Sequence, residues 1–109
     1  MGREEEPERT VRIVDQNGRS LRGEDATVPT FMRLFDGLDP ADAEHAALSV
    51  TDSDEWNLAV YPDFITFENV EEDEVVGRID EPSRDEIEEI VRDFVSGDFD
   101  SLNSRRWQK

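Results

Sequence analysis

The stretch from Trp56 to Ile79 constrains the fold most, because its apolar and polar residues alternate as they do in β-strands. In its first strand, Trp56, Leu58 and Val60 fall on one face. The residues Tyr61-Pro62-Asp63-Phe64 then favour a tight turn, since proline presets φ at the second turn position and aspartate suits the third.

The strand that follows this turn places Ile65 and Phe67 on one face. Four consecutive acids, Glu71 to Glu74, separate it from a returning strand at Val75–Ile79. The pattern therefore predicts an antiparallel meander with one apolar face and one strongly negative rim.

The flanking residues predict the remaining elements. They are a hairpin of Val11–Asp15 and Arg19–Arg22 around Asn17-Gly18, a helix from Val28 to Gly37, a short helical turn over residues 39–45, a strand over residues 46–51, and a helix that begins after Ser83 and ends at Gly97. Residues 1–9 are polar and predict a disordered acidic lead-in. Residues 10–109 then form one α+β domain with an antiparallel sheet of about four to six strands, a short helix in the N-terminal half and a longer C-terminal helix packed on one face.

Composition indicates the cellular compartment and the charge of a partner. The chain has 109 residues, no cysteine and a formal net charge of -17. The missing cysteines exclude disulfides, and the N-terminus lacks the apolar core of a secretory signal, so we expect a cytoplasmic protein. The charge makes nucleic acid and acidic membranes poor partners and favours a basic one. Oligomeric state does not follow from the sequence.

The charge is unevenly placed along the chain. Residues 46–82 hold eleven acidic residues and one base, Arg78. This asymmetry favours a binding surface, although a salt-adapted coat that serves solubility is the alternative. An aromatic anchor beside the acids would suit a partner rich in arginine and lysine. The candidate partner-binding residues are Asp52, Asp54, Glu55, Tyr61, Phe64, Glu71, Glu72, Asp73 and Glu74.

The sequence contains no recognisable catalytic or cofactor-binding motif. His45 is the one histidine, which supports neither a catalytic triad nor a multi-histidine metal site. The six glycines form no phosphate-binding pattern, and the acidic runs do not fit the twelve-residue calcium loop. We therefore expect no enzyme activity, no cofactor, no metal and no catalytic residue.

Residues 28–107 resemble the small immunity proteins of bacterial polymorphic toxin systems in layout. The resemblance rests on the helix Phe31-Met32-Arg33-Leu34-Phe35, the strands Trp56–Val60 and Ile65–Glu68, and the helix end Ser96-Gly97-Asp98-Phe99 followed by Trp107. It implies a cytosolic protein that binds and blocks one cognate toxin, for which a basic, nuclease-like toxin would suit the acidic rim.

Overall fold

The computed structural model describes residues 10–15, 18–38 and 47–108, and in them one antiparallel sheet is covered by helices. The strands are β1 (Val11–Val14), β2 (Ser20–Arg22), β3 (Leu48–Asp52), β4 (Trp56–Val60), β5 (Phe64–Asn69) and β6 (Glu74–Asp80). The helices are α1 (Val28–Asp36), α2 (Arg84–Ser96) and α3 (Phe99–Asn103), and a 3₁₀ turn at Gly23–Asp25 joins β2 to α1. The predicted α+β class is confirmed.

Three predicted features lie outside the described residues. They are the lead-in at 1–9, the Asn17 position of the first turn, and the helical turn over 39–45 with its His45.

The sheet has the strand order β2-β1-β3-β4-β5-β6, and every neighbouring pair is antiparallel. Strands β3 to β6 form the meander that the alternation predicts. One row of residues that runs across the sheet, Ile13, Val50, Leu58 and Phe67, is fully buried. This row lies under the helices, because Phe94 of α2 meets the Phe67 ring edge-on with centroids 6.3 Å apart.

The helix boundaries follow from local capping. The Thr27 hydroxyl accepts a hydrogen bond from the Thr30 amide at 3.3 Å, and the Ser83 hydroxyl accepts one from the Glu86 amide at 3.1 Å. Gly97 ends α2 with φ of 81°, in the left-handed region that favours glycine. The helices predicted from Val28 to Gly37 and from Ser83 to Gly97 are thus confirmed, whereas α3 was not predicted.

The C-terminal tail folds back onto the edge strand β6. Trp107 packs beside Phe67 with centroids 5.4 Å apart, and Gln108 exchanges two backbone hydrogen bonds with Arg78. A Cβ at Gly77 would come within 2.8 Å of the Trp107 Cβ, so glycine provides the space for the tail.

The second face of the sheet has no described helix on it. We call it the open face; across neighbouring strands it presents Arg12, Thr51, Asn57, Glu68 and Val75, which alternate with the core residues. All five side chains are half-buried or exposed.

Candidate partner-binding surface

Two acidic turns lie side by side at one end of the sheet. One connects β3 to β4 and the other connects β5 to β6, and alternate turns of a meander emerge at the same end. Their exposed acids are Asp54, Glu55, Glu71, Glu72, Asp73 and Glu74, which we call the acidic end. The two acidic runs that the sequence predicts are therefore brought together in space.

Asn69 holds the two turns together. Its amide nitrogen donates to the Asp54 carbonyl at 3.2 Å, and its amide oxygen accepts from the Glu72 backbone amide at 3.0 Å. The Val70 amide also donates to the Glu55 carbonyl at 2.9 Å. Asn69 is only 4% exposed, and its hydrogen bonds join the two exposed turns into one surface.

Asp52 has a different position from the other predicted acids. It is 5% exposed, and its Oδ1 accepts hydrogen bonds from the Asp54 amide at 2.9 Å and the Trp56 amide at 3.0 Å. Its carboxylate thus shapes the first acidic turn from inside. We assign Asp52 to holding the surface in place rather than to contacting a partner.

The acids of the acidic end form no ion pair within the described residues. Elsewhere arginines neutralise acids, in the pairs Arg78–Asp80, Arg84–Asp36, Arg92–Glu88, Arg105–Glu89, Arg105–Asp93 and Arg106–Glu86. Hydrogen bonds from Arg106 lower the pKa of the Glu86 carboxyl, and those from Arg84 lower the pKa of Asp36. No arginine of the described part pairs with any of the six acids at the acidic end.

The backbone of the acidic turns is also strained. Glu55 and Asp73 have φ of 71° and 54°, in the left-handed region that side chains other than glycine rarely adopt. Strain and mutual repulsion both oppose this arrangement, so the hydrogen bonds of Asn69 and Asp52 are needed to maintain it.

Two exposed valines lie at the second acidic turn, and the sequence pattern did not predict their exposure. Val70 is 59% exposed and Val75 is 53% exposed, the two large exposed apolar residues of the described part. Val70 lies in the turn, whereas Val75 pairs with Glu68 on the open face. Val70 therefore provides the acidic end with an apolar contact point.

Tyr61 and Phe64 lie away from the acidic end. They flank the turn between β4 and β5, which emerges at the opposite end of the strands, about 17 Å away over five residues. The two rings are half-buried and stack with centroids 4.2 Å apart, and the Arg78 guanidinium lies 4.0 Å from the Phe64 centroid. The structure thus does not join these aromatic residues to the predicted acidic site.

The described residues offer neither a metal cage nor a recognisable catalytic constellation. No three acids or histidines of the described residues are grouped so that they could hold a metal ion. A hollow of about 510 Å³ beside β1 and β3 has a polar lining. It is formed by two arginines, three hydroxyl residues and two carboxylates, namely Arg12, Arg22, Thr10, Thr51, Ser53, Asp52 and Glu55. None of the described helices is long and apolar enough to span a membrane.

No family model matches the chain, and neither a curated protein nor a solved structure is significantly similar to it. The resemblance to immunity proteins therefore stays a prediction, and functional inference depends on the surface itself.

Proposed function

We propose that the chain is a non-enzymatic inhibitor of the immunity-protein kind, which binds a positively charged, nuclease-like protein toxin through the acidic end and acts in the cytoplasm. One observation carries this proposal: six exposed carboxylates without an arginine partner in the described part are held on one surface by buried Asn69.

The inhibitor would act by occlusion and charge complementarity. A nuclease site that receives phosphates is basic, and a compact set of carboxylates can occupy it in their place. Desolvating charge at an interface costs free energy, so apolar contact has to supply part of the affinity. Val70, exposed between the acids, is the residue that would supply it.

The test is capture of the partner with two charge-matched variants. One neutralises the acidic end with Glu71→Gln, Glu72→Gln, Asp73→Asn and Glu74→Gln. The control neutralises four other exposed acids, with Glu24→Gln, Asp25→Asn, Asp63→Asn and Asp100→Asn. Each protein is immobilised and exposed to lysate of its source cells, and captured proteins are identified by mass spectrometry.

We expect the wild type and the control to capture a basic protein whose expression alone arrests growth. The variant neutralised at the acidic end, called the end variant, should not capture this protein. Growth should be rescued by co-expression of the wild type or the control. Equal capture and equal rescue by the end variant would refute a role for the acidic end.

A second candidate is a small structural or regulatory domain of a salt-adapted cell. Exposed acids outside the acidic end favour this candidate; they include Glu24, Asp25, Asp63 and Glu81. On this account the acidity serves solubility, and self-repulsion would loosen the fold in dilute buffer. A fold that keeps its thermal midpoint when molar potassium chloride is removed would argue against this candidate.

A further inference from the structure

The open face carries a charge pattern that the acidic end does not explain. The strand registers place Arg22, Arg12, Thr51, Asn57, Glu68 and Val75 in one row across the six strands. The row is cationic at the β2 and β1 side, neutral in the middle and anionic at β5.

The two arginines of this row are an unusual feature in so acidic a chain. Arg12 lies directly opposite Arg22 in the antiparallel pair, and like charges in this position repel. Neither is within 4.0 Å of a carboxylate among the described residues, although five other arginines are. Both line the hollow to which Asp52 and Glu55 also contribute. Across the sheet, Glu68 also has no arginine partner in the described part.

We infer that the open face binds a second copy of this chain, with Arg12 of each copy against Glu68 of the other. Consider a two-fold axis that runs parallel to the strands, between β3 and β4. It places β1 of one copy over β5 of the other, and β3 over β4. Arg12 then meets Glu68 twice, and Thr51 meets Asn57 twice.

The shape of the face fits this arrangement. The central strands present only Ser49, Thr51, Asn57 and Ala59, whose side chains are small or short. Two sheets can then approach to the usual packing distance of about 10 Å, which arginine and glutamate side chains span together. Packed sheets are rotated by about 30°, which moves groups near the axis by only a few ångströms.

The size of the face predicts a weak dimer. Six strands span about 24 Å and five residues span about 17 Å, so the flat area is about 400 Å². That is about half the area per partner of a standard stable interface. In addition, the axis brings both acidic ends to the same end of the dimer, where they repel.

This inference is independent of the proposed function, because the acidic end stays uncovered in such a dimer. The two ideas can therefore fail separately: loss of self-association would leave toxin capture unchanged.

Charge reversal tests the dimer directly. The variants are Arg12→Glu and Glu68→Arg, with Arg33→Glu and Asp63→Arg as controls at exposed positions away from the face. Each is measured by sedimentation velocity from about 1 µM to about 1 mM. The ionic strength is about 0.15 M, where the Debye length is about 8 Å. Circular dichroism confirms that each variant is folded.

We expect the wild type and both controls to form dimers as concentration rises. Each reversed variant should self-associate at least about tenfold more weakly, because like charges then face each other. An equal mixture of Arg12→Glu and Glu68→Arg should dimerise again, since each unlike pair is restored. A wild type that is monomeric throughout, or a mixture that stays monomeric, would overturn the inference.

Discussion

Replacement of Asn69 by alanine should destabilise the protein by about 2 kcal/mol. The change removes two hydrogen bonds, to the Asp54 carbonyl and from the Glu72 amide, each with a net worth of about 1 kcal/mol. Water can reach the groups that lose their partner, because Asp54 and Glu72 are exposed, so the penalty of an unsatisfied buried group is largely avoided.

Asn69→Asp should cost more at neutral pH, about 3 kcal/mol or more, although it is isosteric. A buried carboxylate cannot donate to the Asp54 carbonyl, and it lies beside six other acids. These surroundings should raise its pKa in the folded state. Below the ordinary carboxyl pKa, the difference in free energy of unfolding between the variant and the wild type should therefore be smallest. This difference should grow as pH rises from the ordinary carboxyl pKa to the raised pKa of the folded state.

Urea unfolding at several pH values measures both effects, with Asn103→Ala as a control at an exposed position. The control should change the free energy of unfolding by less than about 0.5 kcal/mol. A loss below about 0.5 kcal/mol for both Asn69 variants, or a cost of Asn69→Asp that is independent of pH, would refute the role assigned to Asn69.

Two further predictions concern the contacts of the C-terminal tail, residues 104–108. Gly77→Ala should destabilise the fold by about 1–3 kcal/mol, because the new Cβ would lie 2.9 Å from the Gln108 carbonyl oxygen. Gly37→Ala, whose nearest neighbour is at 3.5 Å, is the control, and equal urea midpoints for the two variants would contradict the clash. Arg106→Ala should destabilise the protein most above the ordinary Glu86 pKa of 4.5, where the ion pair contributes fully. The destabilisation should shrink as pH falls through the lowered pKa of Glu86, down to the part that comes from the hydrogen bond to the Asp80 carbonyl. A cost that stays constant into acid would contradict this linkage.

Most of the architecture could be predicted because it depends on local signals. Alternation in Trp56–Val60 and Ile65–Phe67 gives the strand faces, and Ser83 and Gly97 give the ends of the long helix. Helix α3 was missed because five residues are too few for a periodic apolar pattern; its capping residue, Asp98, is the one local sign of it.

The site was harder to predict because it depends on which end of the sheet each turn occupies. Consecutive turns of a meander emerge at opposite ends, so the turn at Tyr61–Phe64 could have been separated from Glu71–Glu74 by this rule alone. The role of Asn69 could also have been predicted from its position. It follows Ile65 and Phe67 on the inward face of β5, where a buried polar side chain needs hydrogen-bond partners. The strand registers that define the row on the open face required the structure itself.

The most direct test of the acidic end is the rate at which it associates with the captured toxin. Stopped-flow measurements from about 0.05 to about 0.5 M potassium chloride vary the Debye length across the size of the surface. The wild type and the variant neutralised at Glu24, Asp25, Asp63 and Asp100 should associate fast at low salt and slow steeply as salt rises. The variant neutralised at Glu71–Glu74 should associate more slowly and respond less to salt. The same rate and the same salt dependence for all three proteins would contradict the claim that the acidic end receives a cationic partner.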